Sequence, residues 1–191
     1  MTRRLIVAIT GASGAVYGVR LLQLLREVPG MRTHLVVTPA GWMNIEHEMS
    51  LPRRDVEALA DTVHAVRDVG ASIASGSFQT DGMVVAPCSM RSVSEIAYGN
   101  TTGLLTRAAD VQLKERRRVV LLAREAPLHV GHLRALTQAA EIGAVILPPV
   151  PAFYARPKTI EDLVAHTVGR ALDLFDIESG LVKRWGETPS V

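Results

Sequence analysis

The sequence has a single cysteine, Cys88, only three lysines (Lys114, Lys158 and Lys183) against eighteen arginines, and aromatic residues at just 4% of its 191 positions. Each scarcity removes a class of explanation. One cysteine cannot close an intramolecular disulfide, which fits a reducing cytosol and a cytoplasmic location. So few aromatics leave no stacking platform for nucleic acid, and a net charge of +2 gives no electrostatic case for a polyanionic partner. No apolar stretch approaches the roughly 20 residues of a membrane span. The run Leu5 to Thr10 follows Arg3 and Arg4, but it is shorter than the roughly 7 to 15 residues of a signal-peptide core and reads as a first strand. The six histidines, at 34, 47, 64, 129, 132 and 166, have no zinc-type spacing, and no aspartate-rich magnesium motif is present, so no metal site is expected.

What is present is alternation. Apolar runs at Leu5 to Thr10, Thr33 to Val37, Met83 to Ala86, Val119 to Ala123 and Ala144 to Leu147 each precede a segment of helical period. Among those segments, Tyr17 to Val28 places Leu21, Leu22 and Leu25 on one stripe. Pro127 to Ile142 does the same with Leu128, Leu133, Leu136 and Ala140, and Ile160 to Ile177 with Leu163, Val164, Val168, Ala171, Leu172 and Phe175. This pattern predicts an α/β fold: one three-layer α/β/α domain over residues 1–191 with a doubly wound parallel sheet of the Rossmann or flavodoxin-like kind, ending in a loose tail at 185–191. A chain of this length buries roughly 70% of its unfolded surface, enough to cover both faces of a sheet.

The first strand empties into Gly11-Ala12-Ser13-Gly14-Ala15 before a helix, the arrangement in which outward N–H groups and a helix dipole hold an anion. The simpler reading is a helix N-cap by Ser13. The spacing excludes two nucleotide motifs. Glycines at 11, 14 and 18 do not make G-x-G-x-x-G, and the second strand ends in Thr38-Pro39 rather than the acid that holds a ribose, so NAD is not expected; a P-loop would need Gly-Lys-Ser/Thr. A mononucleotide such as FMN remains. In an open sheet the ligand lies beyond the carboxyl ends of the strands, which here deliver Gly11 to Ser13, Thr38, Pro87 to Arg91, Arg124-Glu125 and Pro148 to Tyr154.

Several of these segments have two readings. Pro87-Cys88-Ser89-Met90-Arg91-Ser92 is either a donor set for phosphate or flavin or a plain capped helix start, and Cys88 fits a small buried residue better than a nucleophile. Arg124-Glu125 is either an anion clamp beside a proton donor of raised pKa or an exposed charge pair ahead of a helix begun near Pro127. Lys114 to Arg118 is a charge run at a helix C-terminus, in which Lys114 either meets solvent or reaches a substrate phosphate.

Taken in order, Thr10 to Ala15 with Tyr17-Gly18, Pro87-Cys88-Ser89, Leu105 to Arg118, Arg124 to Leu128, Gly143 to Pro148, Pro151 to Tyr154 and Arg184-Trp185 resemble the UbiX/Pad family of flavin prenyltransferases across essentially the whole chain. The resemblance implies metal-independent transfer of a dimethylallyl group from dimethylallyl phosphate to reduced FMN, giving prenylated FMN for a UbiD-type decarboxylase acting on ubiquinone precursors or aromatic acids. It also implies a homo-oligomer of the family's dodecameric kind, with neither nucleic acid nor membrane as partner. By matching position, Gly11, Ala12, Ser13, Thr38, Ser89, Met90, Arg91, Ser92 and Arg124 would contact FMN. Lys114, Arg124, Tyr154 and Arg170 would hold the dimethylallyl phosphate, some of them from a neighbouring subunit, with Trp185 as a wall. Ser13, Glu48 and Glu125 would relay protons, and with Lys114 they form the catalytic set. One departure is Thr38-Pro39-Ala40, where the family has Ser-Lys-Ala; together with Trp42 it puts in question the helix leading to Glu48. The alternatives are an FMN carrier for a decarboxylase and an FMN-dependent cysteine-type decarboxylase. The latter would need a histidine soon after the first glycine loop and a cysteine-containing clamp, and neither is evident.

Overall fold

The computed structural model describes residues 2–186; the tail from position 187 onward lies outside the described residues. Six strands, β1 (Arg3–Ile9), β2 (Met31–Val37), β3 (Thr62–His64), β4 (Gly82–Cys88), β5 (Arg118–Ala123) and β6 (Val145–Ile146), form one sheet in the order β3-β2-β1-β4-β5-β6, every neighbouring pair parallel. Seven helices cover it: α1 (Ala15–Arg26), α2 (Pro39–Met49), α3 (Arg53–Glu57), α4 (Met90–Ala97), α5 (Leu104–Lys114), α6 (Val130–Glu141) and α7 (Ile160–Asp173). The doubly wound flavodoxin-like architecture is the expected one.

Alternate strand residues feed two cores. Leu5, Val7 and Ile9 pack with α1, α2 and α7 on one face, while Ile6 and Ala8 pack with α4, α5 and α6 on the other. Because both faces are covered, the central strands are apolar throughout, and β1 is fully buried from Leu5 to Ile9. Gly18 lets α1 lie close on the sheet, since a Cβ there would collide with the Ala86 carbonyl oxygen and the Ile9 side chain.

Two expectations are corrected. The sequence pattern contains no sign of β3, a three-residue edge strand paired only with β2 and tied to it by a 3.0 Å contact between His34 Nδ1 and His64 Nε2. The core stripe of α6 is also different. Ala135 and Ala139 face the sheet, whereas Leu128, Leu133 and Ala140 are exposed and Leu136 only half-buried. Small residues at an i, i+4 spacing let α6 approach α4 and the sheet, which turns the leucines outward. The helix starts at Val130, where the His129 ring accepts from the Gly131 amide at 3.0 Å.

Candidate active site

The strand order reverses between β1 and β4, and the carboxyl ends of these two strands form the crevice in which open α/β sheets bind ligands. Thr10 ties them together. Its hydroxyl donates to the Pro87 carbonyl at 2.8 Å and accepts from the Ser89 amide at 2.8 Å, while its own amide also reaches Pro87. The Thr38 amide donates to the Ile9 carbonyl and the Arg124 amide to the Cys88 carbonyl, both at 3.0 Å. Four loops are thus laced into one rim carrying Gly11 to Ser13, Thr38, Ser89 to Ser92 and Arg124-Glu125.

The simpler reading of the first loop, a helix N-cap by Ser13, does not hold. Ser13 does not cap α1: the N-cap is Gly14, in the left-handed region at φ 105°, and no side chain of the loop caps it. Glu48 does so from α2, its carboxylate accepting from the Gly14 amide at 2.9 Å and from the Ala15 amide at 2.9 Å. A carboxylate therefore already occupies the positive end of α1. Ser13 is exposed, and its hydroxyl has no partner among the described residues.

Anion-binding capacity moves accordingly to the starts of α2 and α4. Thr38 and Ser89 are their N-caps, accepting from the Gly41 amide at 3.0 Å and the Ser92 amide at 3.3 Å, so both hydroxyls stand at the rim beside helix N-termini. Pro39 does not disturb α2, because it sits at the first helical position, where its missing N–H would have had no intrahelical partner. Trp42 packs against the core under Arg53, whose guanidinium lies 4.8 Å above its ring. The helix therefore runs unbroken to Glu48.

We expect Glu48→Ala to lower stability by about 1 kcal/mol through loss of the α1 cap, with Glu48→Gln, which keeps an amide oxygen as acceptor, losing less. Urea unfolding monitored by circular dichroism measures both; equal midpoints for wild type and Glu48→Ala would contradict the capping role.

Cys88 is fully buried, and burial pushes its thiol well above the ordinary value, so it is packing and not a nucleophile. Met90 and Ser92 are buried, while Arg91 is exposed and paired with Glu95 at 2.9 Å. Arg124 and Glu125 are both exposed in the single subunit, and the helix that follows them begins at Val130. The Arg124 guanidinium lies near Tyr17, whose phenol is raised by burial and partly brought back by that charge. Glu125 Oε1 accepts from the Ala126 amide at 3.1 Å.

A second group assembles on α7. The turn Phe153–Ala155 puts the Tyr154 hydroxyl 3.4 Å from His166 Nε2, and the Tyr154 ring meets Trp185 edge-on at 5.5 Å. One helical turn beyond His166, Arg170 pairs with Asp173 at 2.7 Å, and Asp173 also receives Arg184 at 3.1 Å. The structure thus brings Tyr154 and Trp185 into contact, with Arg170 one helical turn beyond His166. His166 and Asp173 were missed, although their spacing from Arg170 (i−4 and i+3) places both on its helical face.

Lys114 stands apart. It ends α5 and pairs with Glu115 at the amino edge of β5, and its ammonium holds the Glu115 carboxyl below the usual carboxylate range. The six residues of β5 span about 20 Å between that edge and Arg124. Within one subunit, Lys114 cannot share a ligand with the rim.

A family model described as Flavoprotein matches residues 1–172. The flavin prenyltransferase UbiX of Escherichia coli (strain K12) is 58% identical over 185 residues, covering 96% of this chain and 98% of that protein. The crystal structure of AnUbiX (PadA1) in complex with FMN and dimethylallyl pyrophosphate matches with a TM-score of 0.95 at 47% identity, over 98% of this chain and 100% of that one. A dodecameric FMN-dependent Ubix-like decarboxylase from Escherichia coli O157:H7 matches with a TM-score of 0.93 at 49% identity, over 95% of this chain and 98% of that one.

Proposed function

This chain belongs to the Flavoprotein family, and within it to the UbiX-type flavin prenyltransferases, and we propose that it moves a dimethylallyl group from dimethylallyl phosphate onto reduced FMN to give prenylated FMN. The observation that carries this reading is the presence of two separate phosphate-competent sets on a flavin-type fold. One is the rim of helix N-termini with Thr38, Ser89 and Arg124. The other is the Tyr154 and Arg170 group, to be completed by Lys114. A carrier of FMN would need only the first.

FMN fits the rim because Thr38 and Ser89 offer hydroxyls beside helix N-termini, Gly11 to Ser13 can pass close to a ring, and Met90 gives an apolar contact. Arg91, Ser92 and Arg124 complete the donor set. When bound, reduced FMN supplies the electron-rich ring that accepts the dimethylallyl group. The remaining work falls to side chains. Phosphate is a poor leaving group from carbon until its charge is neutralised, so Lys114 and Arg170 stabilise the charge that grows on it as the C–O bond breaks, while Tyr154 adds a hydrogen bond that holds the phosphate in bound substrate and transition state alike. Glu125 hands the departing phosphate a proton, Ser13 and Glu48 manage protons at the flavin side, and Trp185 with Tyr154 walls the allyl group from water.

Because Lys114 lies at the opposite sheet edge, the complete site requires a second subunit. We assign the protein a homo-oligomer of the dodecameric type seen in the Escherichia coli O157:H7 relative. The exposed leucines and Val130 of the α6 region supply apolar surface for such contacts. The product is suited to a UbiD-type decarboxylase as recipient. The reading places the protein in the cytoplasm, where a lone thiol such as Cys88 stays reduced; no helix among the described residues is long and apolar enough to cross a membrane.

The test is an anaerobic incubation with reduced FMN and dimethylallyl phosphate, followed by mass spectrometry of the flavin. A flavin heavier by one five-carbon unit is the expected result. Unchanged flavin that stays tightly bound would favour the carrier instead.

A further inference from the structure

We infer that His166 is a positioning residue for Tyr154: it holds the Tyr154 oxygen by a hydrogen bond so that the phenolic proton points to the substrate phosphate. The inference rests on the reading of Tyr154 as a phosphate contact, and adds a residue that neither the family match nor the motifs single out.

Tyr154 lies on a short turn and is half-exposed, yet its ring is fixed on two sides. His166 and Trp185 both meet it edge-on, with centroids at 5.8 Å and 5.5 Å and interplanar angles of 84° and 83°. The backbone of the turn is fixed as well, since Lys183 Nζ donates to the Ala155 carbonyl at 2.8 Å. What remains to be set is the direction of the hydroxyl, and the group at that end is Nε2 of His166, 3.4 Å away on a residue only 9% exposed.

A phenol has one proton to give and lone pairs to receive. If Tyr154 donates to His166, that proton is withheld from a phosphate. If instead His166 carries its proton on Nε2 and donates to the Tyr154 oxygen, the phenolic O–H is left for the anion. A bound phosphate selects the second arrangement, and the imidazole accommodates it by changing tautomer without moving. His166 also lies four residues before Arg170 on α7, so the hydroxyl it holds is placed over the helical face from which the Arg170 guanidinium rises. The helix thus sets the spacing of two phosphate donors, one directly and one through His166.

The experiment uses the full chain under anaerobic conditions, with reduced FMN and dimethylallyl phosphate, and compares His166→Phe, His166→Gln and Tyr154→Phe with the double variant His166→Phe/Tyr154→Phe. The expected result is a KM for dimethylallyl phosphate raised about tenfold in His166→Phe, with kcat within about twofold, FMN affinity unchanged, and most of the loss recovered in His166→Gln, which keeps an N–H donor. In the double variant the KM should equal that of Tyr154→Phe alone, because a residue acting through a hydroxyl has no effect once the hydroxyl is gone. Should His166→Phe fail to fold, His166→Asn, whose amide stops short of the Tyr154 oxygen, should show the same rise and the same disappearance in the Tyr154→Phe background.

Equal KM increments with and without the Tyr154 hydroxyl would overturn the inference. So would a KM unchanged in His166→Phe but raised in Tyr154→Phe. A KM unchanged in Tyr154→Phe itself would instead remove the phosphate-contact reading and this inference with it.

Discussion

Lys114→Ala and Arg170→Ala, each made in every subunit, are expected to lose about 10²- to 10³-fold in kcat/KM for dimethylallyl phosphate, and co-expression of the two variants is expected to restore a substantial part of that activity. The size follows from charge. Loss of one cation facing a departing phosphate in a closed site removes stabilisation that exists mainly in the transition state, so kcat falls along with kcat/KM. The rescue follows from geometry. Lys114 ends α5 at the amino edge of the sheet, and Arg170 lies on α7 one turn from a residue that touches Tyr154. Within one chain the sheet itself stands between them, since α5 packs on one of its faces and α7 on the other. A site that draws Lys114 from one subunit and Arg170 from another is intact whenever both donors happen to be unmutated, about one site in four for random equal mixing in a closed assembly. Steady-state assays on the purified mixture, with each parent as control, measure this directly. A mixture no better than its parents would mean that both residues serve the same subunit's site or none.

The parallel sheet and its ligand edge were legible because they depend on local rules. Buried parallel strands must be continuously apolar, as Leu5 to Ile9 are, and the chain must then turn through small residues before a helix. Thr38 and Ser89 were legible for the same reason, since a hydroxyl ahead of a helix is its own signal. What escaped depended on contacts between distant segments. Nothing near Gly14 indicates that the cap of α1 comes from Glu48, thirty-four residues later. The strand β3 is too short for a period of two to register, and it exists because β2 offers it an edge. On α6 the leucine spacing fits a buried face well, but Ala135 and Ala139 win because they permit a closer helix contact. Lys114, open in the sequence to solvent or to a phosphate, is exposed beside Glu115 in the single subunit, so a phosphate contact from it would have to come from a neighbouring subunit.

Glu125→Gln separates proton transfer from shape. In the structure Glu125 follows β5 at the rim, with Oε1 accepting from the Ala126 amide at 3.1 Å. Glutamine matches the carboxyl in size and can keep that acceptor, so the turn into Pro127 should persist; what it lacks is an acidic proton. If Glu125 protonates the departing phosphate, kcat should fall by about 10²- to 10⁴-fold, the usual range for removal of a general acid. FMN affinity, which we assign to Thr38, Ser89 and Arg124, should stay within about twofold. Flavin fluorescence titration gives the affinity and single-turnover assays under anaerobic conditions give the rate. The leaving group offers an independent check. A dimethylallyl ester whose leaving group is a stronger acid than phosphate needs less help from a proton, so the deficit of Glu125→Gln should shrink with it while that of Arg124→Ala should not follow the same trend. A deficit independent of the leaving group, or a parallel loss of FMN affinity, would make Glu125 a structural residue of the rim and return the proton to water.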